Sequence, residues 1–189
     1  MLNKRDFADI ERELEQFDAI REEAIKQCRV VLKASKQAIY CVHRNELKEA
    51  GGLLSQAGKV LSSLRKAALK NPKLEAVGAM SEGMQEYAEA MCYLDFVRNK
   101  KIPTRAEVGA NSEDYLMGLC DLTGELARRA VMSAAGKNNE DVETIRALVD
   151  EIYGEFIKFN LRNGDLRRKS DSIKWNLKKV EEIVYDLKK

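Results

Sequence analysis

Glu86 and Glu89 lie one helical turn apart in the segment Gln85-Glu86-Tyr87-Ala88-Glu89-Ala90. On a helix, residues three and four apart are neighbours. For Glu86 those places hold Glu82, Gly83, Glu89 and Ala90; for Glu89 they hold Gln85, Glu86, Cys92 and Tyr93. No local cation serves either acid. Carboxylates this close repel one another unless something neutralises them. That is either a Lys or Arg from elsewhere in the chain or a bound divalent metal, and acid-rich oxygen sites of the second kind bring a phosphate and a water together. One turn on, the same face becomes aromatic and apolar at Tyr93, Phe96 and Val97, unlike an ordinary solvated face.

A second acidic set, Asp114, Asp121 and Glu125, recurs at i, i+7 and i+11 and so shares one helix face. Glu125 has Arg128 and Arg129 within a turn, which explains it as an ion pair. Asp114 faces only Met117 and Gly118 at those spacings and is the better third ligand, although an acid in a first turn also favours the helix dipole. Glu155, beside Asp150 and Glu151, has Lys158 three residues on. Basic residues gather in two places. Arg21, Lys26 and Arg29 punctuate the first helix; Arg162, Arg167, Arg168, Lys169, Lys174, Lys178 and Lys179 crowd the last, only partly balanced by Glu181, Glu182 and Asp186. Such clusters are what contacts to a phosphate backbone require, and Arg21, Lys26, Arg29, Arg167, Arg168, Lys169 and Lys174 are the nucleic-acid-binding candidates.

Other chemistries are poorly served. His43 is the single histidine, which rules out a site with several His ligands in one chain. Cys28, Cys41, Cys92 and Cys120 show no C-x-x-C spacing and read as core thiols, so any metal is expected on oxygen ligands, favouring Mg²⁺ or Mn²⁺. There is no glycine-rich phosphate loop and no serine nucleophile motif. A net charge of +2 predicts no nucleic-acid affinity by itself; the positive charge must be segregated onto one face.

These residues need elements to hold them. With 189 residues, two prolines and few glycines, the chain reads as one all-α domain over residues 1–189. Apolar spacing predicts a long first helix from Asn3 to His43, a second over Leu47–Lys70, a third from Pro72 to Asn99, a fourth capped at Ser112 and running to Ala135, a fifth over Glu140–Asn160 and a last over Asp165–Lys188. In the last, Leu166, Ser170, Ile173, Leu177, Val180, Val184 and Leu187 form a heptad-like seam, which intrachain packing would satisfy. No apolar run approaches ~18 residues, so no membrane span is expected. Met1-Leu-Asn-Lys-Arg-Asp-Phe7 lacks the apolar core of a secretory signal, and the expected location is cytoplasmic.

Several stretches together resemble the translin family, comprising translin and translin-associated factor X. Glu113-Asp-Tyr-Leu-Met-Gly-Leu-Cys-Asp-Leu-Thr-Gly-Glu-Leu126 resembles both branches, and its Asp121-Leu-Thr-Gly-Glu-Leu126 part is nearer factor X. Asn160-Leu-Arg-Asn-Gly-Asp-Leu-Arg-Arg-Lys169 and Lys178-Lys-Val-Glu-Glu-Ile-Val-Tyr-Asp-Leu187 are similar to translin, as is Asp18-Ala-Ile-Arg-Glu-Glu23 to the start of the family's first helix. The resemblance implies a bundle of about seven helices with long first and last members, a short helix near Pro103, and assembly into octameric barrels that enclose RNA. The factor-X branch carries a Mg²⁺-dependent endoribonuclease site; translin binds RNA or single-stranded DNA.

Gln85–Ala90 resembles the factor-X segment that supplies two catalytic glutamates, so Glu86 and Glu89 inherit the metal-ligand role. The family's third acid is an aspartate in a Tyr-Asp-Gly-Phe stretch, which here reads Tyr153-Gly154-Glu155-Phe156. Gly154 stands in its place, and either Asp114 or, by a local shift, Glu155 completes the site. The expectation is a homo-oligomeric, Mg²⁺- or Mn²⁺-dependent endoribonuclease acting on single-stranded or frayed RNA, combining both branches in one prokaryote-like chain. The alternatives are a non-catalytic RNA- or DNA-binding barrel and a purely helical scaffold.

Overall fold

A helix of 40 residues, α1 (Lys4–His43), forms one side of the molecule. It has no glycine or proline to stop it, and Asn3 caps it by accepting hydrogen bonds from the backbone N–H groups of Arg5 and Asp6. The computed structural model describes residues 2–189. After α1 come α2 (Leu47–Lys70), a five-residue 3₁₀ turn (Pro72–Ala76), α3 (Gly78–Asn99), α4 (Arg105–Val108), α5 (Ser112–Ala135), α6 (Asn139–Phe156) and α7 (Asp165–Leu187). No strand occurs among the described residues. The all-α expectation holds, including the short helix after Pro103. Among the described residues, no helix is long and apolar enough to cross a membrane.

Packing runs in two layers that share α3 and α5. α1 packs on α2 and α3, α3 packs on α5, and α5 packs on α6 and α7. The α7 seam closes this second layer: Ile173, Leu177, Val180 and Val184 are buried. All four cysteines are buried, unpaired thiols. The C-terminal half of α3, apolar on both sides, is buried through Cys92, Tyr93, Leu94 and Phe96. The N-terminal stretch of α1 is not covered by its own chain. Phe7, Ile10, Leu14 and Ile20 are exposed, and burial begins at Ala24.

Three boundaries depart from the pattern read in the sequence. The third helix does not begin at Pro72, because Val77 is extended (φ −79°, ψ 110°) and separates the 3₁₀ turn from α3. Proline fixes the first turn, and Gly78 adds no helix propensity to carry it onward. The cap of α5 is Asn111 rather than Ser112: its side-chain oxygen accepts from the Asp114 N–H at 2.8 Å. Helix α6 stops at Phe156, the last residue of its buried stripe, and Ile157 and Phe159 beyond it are exposed.

Helices α3 and α5 approach one another closely, backbone to backbone, at Gly118. A Cβ on Gly118 would sit 2.8 Å from the Gln85 carbonyl oxygen, 2.9 Å from the Ala88 Cβ and 3.0 Å from the Glu89 nitrogen. Two of these are backbone atoms that cannot swing away. Gly118→Ala is therefore expected to destabilise the protein by about 1–3 kcal/mol, the range for overpacking. A thermal melt checks it; an unchanged melting temperature would mean that the helices separate at no cost.

Candidate functional site

The α3–α5 crossing brings four carboxylates to one cleft. Glu86 and Glu89 come from α3, and Asp121 and Glu125, four residues apart, come from α5. Helix α1 adds Lys36 and Tyr40, α5 adds Arg128 and α7 adds Lys169, around a volume of about 640 Å³. Glu89 is buried, while Glu86, Asp121 and Glu125 are half-buried.

Two of the half-buried acids pair with a cation from a distant part of the chain, and the third meets His43 and Arg128. Lys36 Nζ lies 3.4 Å from Glu86. Lys169 donates to Asp121 and, at 3.2 Å, to Gln85 Oε1. His43 Nε2 bonds Glu125, and its Nδ1 meets the Tyr93 hydroxyl at 3.0 Å, so a buried Tyr–His pair backs one wall. Arg128 stands 3.7 Å from the same Glu125. The His43 hydrogen bond holds the Glu125 carboxyl below its usual range despite burial.

Glu89 is different. Among the described residues no cation lies within 4.0 Å of its carboxyl and no side chain hydrogen-bonds it. Burial, then the charges of Asp121, Glu86 and Glu125, push its pKa up to about 9, with Lys169 offsetting only part. The site thus contains one acid that the protein leaves without a counter-charge, beside three that it pairs.

The donors are hard oxygens, which suits Mg²⁺ or Mn²⁺ rather than a thiophilic ion. Their oxygens are not drawn together as they stand. Among the described residues, the one trio of ligand atoms lying within 4.8 Å of one another is Cys41, Glu46 and Glu49, at the α1–α2 corner. A cation in the acid cleft therefore has to draw carboxylates away from Lys36 and Lys169.

The structure does not bring the other two candidate ligands to the pair. Asp114 faces a neighbouring cleft, where it accepts from Ser81 and from Asn111 Nδ2 at 2.7 Å, with Gln85 Nε2 at 3.3 Å. Its work is to tie the start of α5 to α3. Glu155 is exposed on α6 and bonds Lys158 at 2.6 Å. Of the basic candidates, Lys169 lines the acid cleft and Arg168 the neighbouring one, where it also pairs with Asp165. Arg21 pairs with Asp18 and Glu22, Arg167 with Asp171, and Lys26, Arg29 and Lys174 are exposed. Arg29 stands two turns before Lys36 on the same face of α1.

The sequence pattern does not mark Lys36 or Tyr93 as site residues and gives His43 only a weak signal, while it ranks Asp121 behind Asp114. The signal for Asp121 is its spacing of four from Glu125, which places two acids side by side. Local sequence gives Glu125 two partners, Arg128 and Arg129, yet Arg129 turns to Asp141, 3.0 Å away.

Comparison with known proteins gives one consistent result. The translin family model matches residues 19–188. Translin of Gallus gallus is 41% identical over 75 residues, which is 40% of this chain and 33% of that protein, so the match spans about a third of its length. An uncharacterised protein of Methanocaldococcus jannaschii is 28% identical over 170 residues, covering 86% of this chain and 74% of its own. Among solved structures, the complex of AfC3PO with duplex RNA superposes with a TM-score of 0.88 at 21% identity, covering 97% of this chain and 96% of that one.

Glu89 also predicts a pH dependence. With its folded pKa raised from 4.5 to about 9, the folded carboxyl keeps a proton that the unfolded one has lost. Stability in EDTA should therefore fall as pH rises through that window, by up to about 1.4 kcal/mol per pH unit. Glu89→Gln, which is neutral throughout, should flatten the curve and raise the melting temperature at pH 8. Parallel curves for the two proteins would contradict the assignment.

Proposed function

The chain belongs to the translin family, and from that premise we propose that it is an RNA-binding protein whose acid cleft is the centre of a Mg²⁺- or Mn²⁺-dependent endoribonuclease. The observation that carries this reading is the buried Glu89 without a protein counter-charge, among three further carboxylates. Glu86, Glu89 and Asp121 would hold the divalent ion, with Asp121 in the role that the resemblance leaves to Asp114 or Glu155. When bound, such an ion polarises a phosphodiester and lowers the pKa of a water.

The chain's own groups do the rest. Glu125 is kept ionised by His43, so one carboxylate oxygen is available to take a proton from the attacking water. The His43–Tyr93 pair holds that carboxylate in place from behind. Lys36 from α1 and Arg128 from α5 line the same cleft and would meet phosphate oxygens of the strand. Exposed Arg29 extends the positive track along α1. The cleft is open to solvent, which suits a single strand or a frayed end. The AfC3PO complex, which holds duplex RNA, supports RNA as the ligand class.

We further propose a homo-oligomer, octameric by family resemblance, acting in the cytoplasm, where four buried thiols stay reduced. The exposed Phe7, Ile10 and Leu14 of α1 are the surface a second copy would cover.

A second reading has its own observation: Lys36, Lys169 and Arg128 already pair with three of the four acids. A cleft balanced in this way suits a non-catalytic RNA- or single-stranded-DNA-binding protein. Glu86→Gln with Glu89→Gln separates the two. On a labelled single-stranded RNA with Mn²⁺, the double variant is expected to cut on the order of 100-fold more slowly or worse, and EDTA should stop the wild type. Cleavage at the wild-type rate would remove these residues from the mechanism; RNA binding with no cleavage by either protein would favour the second reading. For assembly, Phe7→Glu with Leu14→Glu should lower the mass measured by light scattering, and an unchanged mass would place the interface elsewhere.

A further inference from the structure

Lys169 is the residue shared by two clefts. On one side lie the four carboxylates; on the other is a larger cleft of about 1340 Å³, whose walls mix Arg65 and Arg168 with Glu75, Glu82, Glu113, Asp114 and Asp165. A strand running from the larger cleft to the smaller one would have to pass this side chain. Lys169 is also held in two unlike ways. Its bond to Gln85 Oε1 (3.2 Å) is to a fixed acceptor, because Gln85 is buried and its amide nitrogen donates to Ser81 Oγ at 2.8 Å. Its bond to Asp121 is to a carboxylate in a cluster that also contains Glu86, Glu89 and Glu125. The lysine and aspartate side chains are 34% and 33% exposed, so neither is locked by packing.

We propose that Lys169 is a built-in counter-ion that changes partners: in the metal-free protein it holds Asp121, and in the loaded protein its ammonium passes to a phosphate of an RNA strand lying between the two clefts. This rests on the reading of the acid cleft as a metal centre. Three physical arguments support it. A monovalent ammonium and a divalent cation cannot both take full possession of Asp121, and the divalent charge interacts more strongly with four clustered carboxylates. Lysine carries its charge on a flexible four-carbon stem with three donors, so releasing Asp121 need not release Gln85. Once released, the ammonium shares a wall with Arg65 and Arg168, and a phosphate of a strand crossing between the clefts would meet these three cations together. The exchange keeps the cleft neutralised when empty and assigns the same charge to the substrate when it is full.

The test needs no turnover. Mn²⁺ binding to the RNA-free protein is measured by titration calorimetry for wild type, Lys169→Met, Glu89→Gln and, as a control on the same helix, Lys178→Met. Thermal melts establish that each variant folds. Lys169→Met should bind Mn²⁺ about tenfold more tightly, since the competing cation is gone, and Lys178→Met should match wild type. The salt dependence of binding to a single-stranded RNA is then read by stopped-flow anisotropy before cleavage. In EDTA, wild type and Lys169→Met should have equal slopes; with Mn²⁺ the wild-type slope should be steeper by about 0.7, the value for one more phosphate contact on a single strand.

An unchanged Mn²⁺ affinity in Lys169→Met, with Glu89→Gln weakened, would overturn the exchange and leave the metal-centre reading standing. Mn²⁺ binding that ignores Glu89→Gln would overturn both. Tighter Mn²⁺ binding with no metal-dependent difference in slope would also overturn the exchange, since the ammonium would then have no second partner.

Discussion

The close crossing of α3 and α5 at Gly118 is the constraint on which the site depends. With hydrogen alone at that position, the backbone of α5 comes within van der Waals distance of the Gln85 carbonyl and the Glu89 nitrogen. Asp121 is one turn beyond Gly118 and Glu125 a further turn on, so the approach that brings the helices together also aims these acids at Glu86 and Glu89. Asp114, one turn before Gly118, is directed to Ser81 and Asn111 instead and pins the start of the same crossing. A single small residue therefore separates a carboxylate used for structure from two that enter the cleft.

Four carboxylates at one crossing create an electrostatic problem that the two helices solve only in part with their own residues, through Arg128 beside Glu125. The rest of the solution comes from the outer elements. α1 sends Lys36 and His43, and α7 sends Lys169. These partners are far apart in the sequence, as the separation of 82 residues between His43 and Glu125 illustrates. Glu89 is left without such a partner, and burial and three neighbouring acids disfavour its ionisation. A buried acid without a partner in a cleft is a candidate functional group.

Much of the fold was legible because α-helices announce themselves through spacing. The α7 seam at Ile173, Leu177, Val180 and Val184 was readable and is buried as its pattern requires. The α1 boundary at His43 and the α2 boundary at Lys70 were readable because turn residues follow both. Boundaries that depend on backbone conformation at one residue were not, as Val77 illustrates: its extended backbone breaks a stretch whose composition is helical throughout. In the site, the pair Glu86–Glu89 was visible because both acids lie on one helix and lack local cations. The choice among Asp114, Asp121 and Glu155 was not, because each has a credible local explanation.

What the sequence determined by itself was therefore local: helix periodicity, the buried stripe of each helix, the family membership over residues 19–188, and an acid pair without neighbouring cations. Tertiary structure decided which helices meet, and with them the identity of the third and fourth acids, the sources of counter-charge, and the position of Lys169 between two clefts. The physical reason is one of range. Periodicity and capping act within a few residues along the chain, whereas the electrostatics of a site depend on distance in space, and that distance is set by how closely two backbones can approach.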